Sequence, residues 1–222
     1  MQKKKRTLIA CSMMEDEIHQ LLDESGYDLP VIWMDRGFHN IPAKLKEELQ
    51  NQINALQDQD EILLSFGLCG NGTDGISSAN TRLIIPKFDD CINMMLCTGA
   101  RTGRGLTEAN SIYLTRGWIQ DEESILQQYE KLKEKYDEDT CDVIFEMMYE
   151  HYNSISIIDT GCYDIAPVSS YAKQAAELLD LEVKTVPGTN RILKQLLDGE
   201  WEENFILLEP GEVLTFEHFE IA

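Results

Sequence analysis

The chain has 222 residues, of which 43% are hydrophobic, and this composition suits one large α/β domain or two small ones. Its formal net charge is −21, from 40 acidic and 19 basic residues. Such a surface repels phosphate backbones and anionic lipids, so we expect a protein that binds neither nucleic acid nor membranes.

The cysteines and the first residues of the sequence bear on the cellular compartment in which we expect the protein. The basic residues Lys3 to Arg6 are followed by only about eight apolar residues before Glu15, with no small-residue cleavage site, so no signal peptide is expected. No stretch approaches the roughly 20 apolar residues of a membrane-spanning helix. The six cysteines include no C-x-x-C pair, which argues against a zinc ribbon or a thioredoxin-type motif. We expect a cytoplasmic protein whose cysteines are thiols, core residues or metal ligands.

The first half of the chain alternates apolar strands with amphipathic helices. Strands are predicted over 7–11, 31–35, 61–66 and 82–86. The first helix begins near Met14 and ends at Gly26, and the second begins at Pro42 and continues to about residue 57. Asp89 or Asp90 is predicted to cap a third helix that holds Cys91.

The second half continues this alternation. A glycine- and threonine-rich loop over 99–110 precedes a strand over 111–115, which Gly117 and Trp118 close. Helices are predicted from Asp121 to about 136, over 139–152 and over 168–180, and one that follows Thr189 and ends at Leu197. Strands are predicted over 155–159, 182–186 and 205–208.

This order of elements predicts an α/β fold, with a mainly parallel sheet flanked by helices in three layers. We expect a single domain over 1–222. The alternative is a pair of sub-domains, 1–120 and 153–222, separated by the helical segment 121–152.

Three cysteines and a histidine follow predicted strands, where open α/β sheets bind their ligands. Cys11 ends the first strand, Cys69 and Cys91 follow the third and fourth, and His39 follows the second by a short loop. These soft and borderline ligands could converge on one metal ion, so we predict a metal site formed by the four. Cys162, which follows the strand at 155–159, is an alternative to His39. Taken singly, each cysteine could also be a small buried core residue.

A glycine-rich loop follows the third strand. The residues Gly70 to Gly75 match the pattern G-x-G-x-x-G, but only residues 76–81 separate them from the next strand. That distance is too short for the helix that a dinucleotide site requires. We predict instead that Gly70 and Gly72 let the backbone approach a ligand or a metal beside Cys69.

Three further residues are candidates for contact with a cofactor. Asp90 either orients a ligand or caps a helix. Arg101 and Arg104 stand in the glycine-rich segment of an acidic protein, where they either clamp a carboxylate or phosphate group or belong to a solvated loop.

Several runs of this sequence resemble a family known as domain of unknown function 1638. These runs, which cover nearly the whole chain, are Phe38 to Pro42, Gly67 to Gly72, Ile85-Pro86 with Asp90 to Ile92, Tyr113 to Trp118, and Trp201 to Gly211. The chain departs from the family pattern at two positions: Asp89 stands where members often carry histidine, and Arg116 stands where they often carry proline. The resemblance implies an origin in anaerobic bacteria or methanogenic archaea, and an association with corrinoid-dependent methyltransferase systems.

Three hypotheses follow for function. The leading one is a protein that binds zinc or an iron–sulfur cluster and serves corrinoid-linked methyl metabolism, with a corrinoid protein or a methyltransferase as partner. The second is a metal-free binding or accessory module for a corrinoid protein or a small metabolite, whose acidic surface meets a basic partner. The third is a thiol-dependent enzyme with Cys69 or Cys91 as nucleophile and His39 as base. The chain has no D-x-H-x-x-G motif, so cobalt ligation by that route is not expected.

Overall fold

The computed structural model describes residues 4–99 and 106–220. The strands are, in chain order, β1 (Arg6–Cys11), β2 (Val31–Met34), β3 (Glu61–Leu64), β4 (Arg82–Pro86), β5 (Ser111–Leu114), β6 (Ser154–Asp159), β7 (Glu182–Pro187) and β8 (Phe205–Leu208). The α-helices are α1 (Glu15–Ser25), α2 (Pro42–Ala55), α3 (Cys91–Leu96), α4 (Arg116–Ile119), α5 (Ile125–Lys133), α6 (Glu138–Tyr149), α7 (Ile165–Leu179) and α8 (Arg191–Asp198). Short 3-10 turns span Ser12–Met14, Arg36–Asn40 and Phe216–Phe219.

Within the described residues the strands form two sheets. The larger sheet has the order β2-β1-β3-β4-β8, in which β8 runs antiparallel to β4 and the other neighbours are parallel. The smaller sheet has the order β5-β6-β7 and is parallel throughout. The predicted α/β class, with mainly parallel strands flanked by helices, is confirmed.

The buried residues form two hydrophobic cores. The larger core includes Ile18 on α1, Leu49 on α2 and Leu196 on α8, all fully buried. The smaller core gathers residues of the smaller sheet and of α5, α6 and α7. Trp118 on α4 packs against both cores, so this residue lies where the two units meet.

The two sheets take their strands from unexpected parts of the chain. β5 precedes the helical segment 121–152 but belongs to the smaller sheet, and β8 follows the smaller sheet but pairs with β4 of the larger one. The division at residues 120 and 153 therefore does not coincide with the division between the sheets.

Local structure differs from the prediction around residues 116–124. Gly117 and Trp118 lie in the short helix α4, since a glycine at position 117 lets this helix approach the carbonyl of Met13 closely. The next helix begins at Ile125 instead of Asp121, because the Asp121 carboxylate accepts a hydrogen bond from the Glu123 N–H (2.7 Å) in the preceding turn.

No helix in the described ranges combines the length and the apolar character that a crossing of the bilayer requires.

Candidate functional site

A cavity of about 200 Å³ lies at the carboxyl ends of β1 to β4. Cys11, Cys69, Cys91 and His39 all line it, so the structure brings the four predicted metal ligands to one place. We call this space the cysteine cavity. The other residues that line it are Met13, Asp35, Phe38, Leu45, Ser65, Phe66, Gly70, Asp90, Ile92 and Trp118.

Cys11 is held at the end of β1 by the chain that continues from β3. Its N–H donates to the hydroxyl of Ser65 (2.8 Å), and the N–H of Ser65 donates to the carbonyl of Ile9 (3.1 Å). Ser65 is fully buried and Cys11 is only 9% exposed. These bonds extend the pairing of the two strands up to the wall of the cavity.

Cys69 begins a left-handed turn. Cys69, Gly70 and Asn71 have φ angles of 48°, 64° and 69°, a region that residues other than glycine rarely adopt. The turn is held by the chain after β4, because the Cys69 N–H donates to the carbonyl of Asp89 (2.7 Å). Strain of this kind persists where the surrounding structure enforces it, and it is frequent at functional sites.

Close packing at Gly67 and a hydrogen bond from Thr73 fix the chain on the two sides of this turn. A Cβ atom on Gly67 would lie 2.4 Å from the carbonyl oxygen of Phe88, so only glycine allows this close approach. Thr73 is fully buried, and its hydroxyl donates to the carbonyl of Gly67 (3.0 Å). The turn that carries Cys69 is therefore fixed from both sides.

Cys91 is the first residue of α3, and Asp90 caps that helix as predicted. The Asp90 carboxylate accepts hydrogen bonds from the N–H (2.8 Å) and from the side-chain amide (3.0 Å) of Asn93. The cap fixes Cys91 beside the turn of Cys69 and leaves Asp90 in the cavity wall.

His39 lies in the 3-10 turn after β2, and its Nδ1 is 2.5 Å from the carbonyl oxygen of Arg36. A carbonyl only accepts, so Nδ1 donates this hydrogen bond, and Nε2 is the ring nitrogen that remains for a ligand. The ring packs on the indole of Trp118 with 4.7 Å between centroids.

The three thiols of the cavity resist ionisation. Burial raises the pKa of Cys11 to about 11, although a backbone hydrogen bond from Met13 and the charge of Arg36 oppose this shift. The pKa of Cys69 and that of Cys91 are also raised, first by burial and then by the charges of Cys11 and Asp90. A bound cation would reverse this balance.

The cysteine cavity does not hold a complete set of metal ligands in its present arrangement. Across residues 4–99 and 106–220, no three His, Cys, Asp or Glu side chains are placed to coordinate one metal ion. Cys11, Cys69, Cys91 and His39 share the cavity without converging on one point.

Gly72 and Cys162, two other predicted site residues, do not line the cysteine cavity. A Cβ atom on Gly72 would lie 2.7 Å from Leu45 Cδ2, so this glycine permits close packing on α2 and is not among the described residues that line the cavity. Cys162 follows β6 and accepts a hydrogen bond from the Asn190 amide (3.6 Å), also away from the cavity lining. Arg101 and Arg104 fall outside the described residues.

Sequence reasoning missed several residues of the cavity. Asp35 and Ser65 directly follow β2 and β3, so the rule that located Cys11 and Cys69 could have found them. Trp118 lies on α4, directly after β5 of the smaller sheet, and no local sequence pattern places it beside His39.

Comparison with family models gives a match over residues 33–197 to the family described as "Protein of unknown function (DUF1638)". The chain belongs to this family. The DUF1638 match includes His39, Cys69, Cys91 and Trp118, whereas Cys11 precedes it. Comparisons with curated proteins and with solved structures give no match.

Proposed function

We propose that this DUF1638 protein binds a metal centre, zinc or an iron–sulfur cluster, through Cys11, Cys69, Cys91 and His39. The proposal rests on the cysteine cavity, where four side chains that follow separate strands line one space of about 200 Å³. Cysteines that serve only as core residues have no reason to gather in this way.

The chemistry of the lining supports this choice. Thiolate and imidazole groups are the preferred ligands of zinc, and thiolates also hold iron–sulfur clusters. The hydrogen bond from His39 Nδ1 to the Arg36 carbonyl is the kind of outer contact that orients a ligating histidine. Metal binding requires the cysteine side chains to rotate toward one point and to lose their protons.

The two metal centres would support different chemistry. Zinc would act as a Lewis acid that activates a thiol or a methyl acceptor, and a cluster would permit electron transfer or corrinoid reactivation. Service to corrinoid-linked methyl metabolism, with a corrinoid protein or a methyltransferase as partner, remains part of the proposal and rests on the family resemblance alone.

The raised pKa values of the three cavity thiols argue against a thiol-dependent enzyme. A cysteine nucleophile needs a lowered pKa, and the pKa of each of the three cavity thiols is raised by burial. A metal-free binding module is the alternative that follows if no metal binds.

The test is the metal content of protein purified without oxygen, before and after reconstitution with Zn²⁺ or with Fe²⁺ and sulfide. We expect stoichiometric metal in the wild type and a sharp loss in Cys69→Ser. The matched control is Cys141→Ser, because Cys141 is fully buried in the smaller core on α6. Substitution with Co²⁺ should add thiolate-to-metal absorption, which Cys11→Ser and Cys91→Ser should weaken.

The proposal fails if the wild type takes up no metal after reconstitution, or if Cys69→Ser retains as much metal as Cys141→Ser. Selective alkylation of one cysteine at neutral pH in metal-free protein would favour the thiol-dependent enzyme instead.

A further inference from the structure

A second space of about 400 Å³ adjoins the cysteine cavity, and His39, Asp90, Ile92 and Trp118 line both. We propose that this space binds an organic ammonium cation, that is, an amine with alkyl substituents and a positive charge. We call it the aromatic cleft after the rings of Tyr113, Trp118, Tyr149 and Tyr152, which form part of its lining. Its volume lies in the range of about 300–1,000 Å³ that is typical of small-molecule sites.

The aromatic rings are the first argument for a cation. The faces of Trp and Tyr rings carry negative charge density, so they attract alkylated ammonium groups when several rings surround one space. Tyr149 and Tyr152 have ring centroids 6.0 Å apart, and Trp118 packs on His39 at the boundary with the cysteine cavity.

The charges of the lining are the second argument. Its described residues include the carboxylates of Asp90, Glu108 and Glu123 but no lysine or arginine. Glu108 pairs with Lys184, and Glu123 pairs with Lys131. The Asp90 carboxylate accepts hydrogen bonds from the backbone N–H and the side-chain amide of Asn93, which are neutral donors, so these contacts leave its charge uncompensated. Such a lining disfavours phosphates and carboxylates and favours a positive ligand.

The aromatic cleft shares only His39 with the proposed metal ligands. None of the three cysteines of the cysteine cavity is among the described residues that line the aromatic cleft. The Cys69→Ser variant should therefore lose metal and keep the cation, which separates the two proposals experimentally.

Choline and 3,3-dimethyl-1-butanol are a matched pair of probes. They share shape and hydroxyl group, but the second has a neutral carbon in place of the nitrogen. Calorimetric titration of the whole protein should give an affinity for choline about tenfold higher or more, as expected for ring faces shielded from water. Trp118→Leu and Tyr149→Leu should each weaken the binding of choline. Tyr136→Leu should not, since Tyr136 is 48% exposed and lies outside the described lining.

A further variant tests whether an aromatic face at position 118 is sufficient. Trp118→Phe keeps such a face, so it should preserve the preference for choline over 3,3-dimethyl-1-butanol. Circular dichroism of each variant checks that the fold is retained.

The inference is overturned if the two probes bind with equal affinity, if neither binds, or if 3,3-dimethylbutyrate binds more tightly than choline. It is also overturned if Tyr136→Leu weakens choline as much as Tyr149→Leu does.

Discussion

The contact between α4 and the turn after β1 gives a quantitative prediction for Gly117→Ala. The added Cβ atom would lie 2.2 Å from the carbonyl oxygen of Met13, against the 3.4 Å at which ordinary contact begins. The overlap is 3.4 − 2.2 = 1.2 Å, and the Met13 atoms involved belong to the backbone, so α4 itself must move. Overpacking of this kind costs about 1–3 kcal/mol.

For a chain of this size, each kcal/mol of lost stability lowers Tm by about 2–4 °C, so Gly117→Ala should melt about 2–12 °C below the wild type. Thermal unfolding followed by far-UV circular dichroism measures this shift. Displacement of α4 should also change the fluorescence of Trp118, which forms a wall of both cavities. The control is Gly99→Ala, because a Cβ atom at Gly99 meets nothing within 4 Å. Equal melting temperatures for the two variants would refute the argument.

Three other predictions concern the buried polar groups and the thiols. Burial raises the pKa of Glu17 above 4.5, although the hydrogen bond from Thr160 opposes this shift. The folded state therefore binds the proton of Glu17 more tightly than the unfolded state does, and the free energy of unfolding falls as the pH rises from the unfolded to the folded pKa. Glu17→Gln should therefore gain stability over the wild type as the pH is raised above about 4.5 in urea titrations, and parallel pH profiles would contradict this. Thr73→Val removes a buried hydrogen bond to Gly67 and should cost about 1–2 kcal/mol in urea unfolding, whereas no change would mean that the bond contributes nothing. If three protonated thiols ligate the metal, each must release one proton, so metal affinity measured by competition with a chelator should rise by up to about three log units per pH unit near neutrality. A metal affinity that does not change with pH would exclude the thiols as ligands.

The sequence was sufficient to predict the cysteine cavity because that cavity depends on a simple rule. Cys11, Cys69 and Cys91 follow strands that are parallel neighbours, and the carboxyl ends of such strands share one edge of a sheet. Local signals also placed the ends of helices, since Gly26 ends α1 in a left-handed conformation and Pro42 opens α2.

Features that depend on distant contacts were not predictable from local patterns. An apolar run such as 205–208 predicts a strand but does not say which strand it pairs with, and here it joins β4 in the antiparallel direction. The helical character of Gly117 and Trp118 depends on the close approach to Met13, which no pattern in residues 111–118 reveals. The spatial proximity of Trp118 to His39 has the same origin.

The position of β8 has a consequence for the order in which the molecule is built. While the chain is being synthesised, β4 is complete long before its outer neighbour, and all of the smaller sheet lies between them in the sequence. Until residues 205–208 leave the ribosome, β4 has an open edge that other strands could pair with. The smaller sheet, whose strands are β5, β6 and β7, is by contrast fully synthesised before β8. β8, the last of the described strands, therefore completes the sheet to which the first strand, β1, belongs.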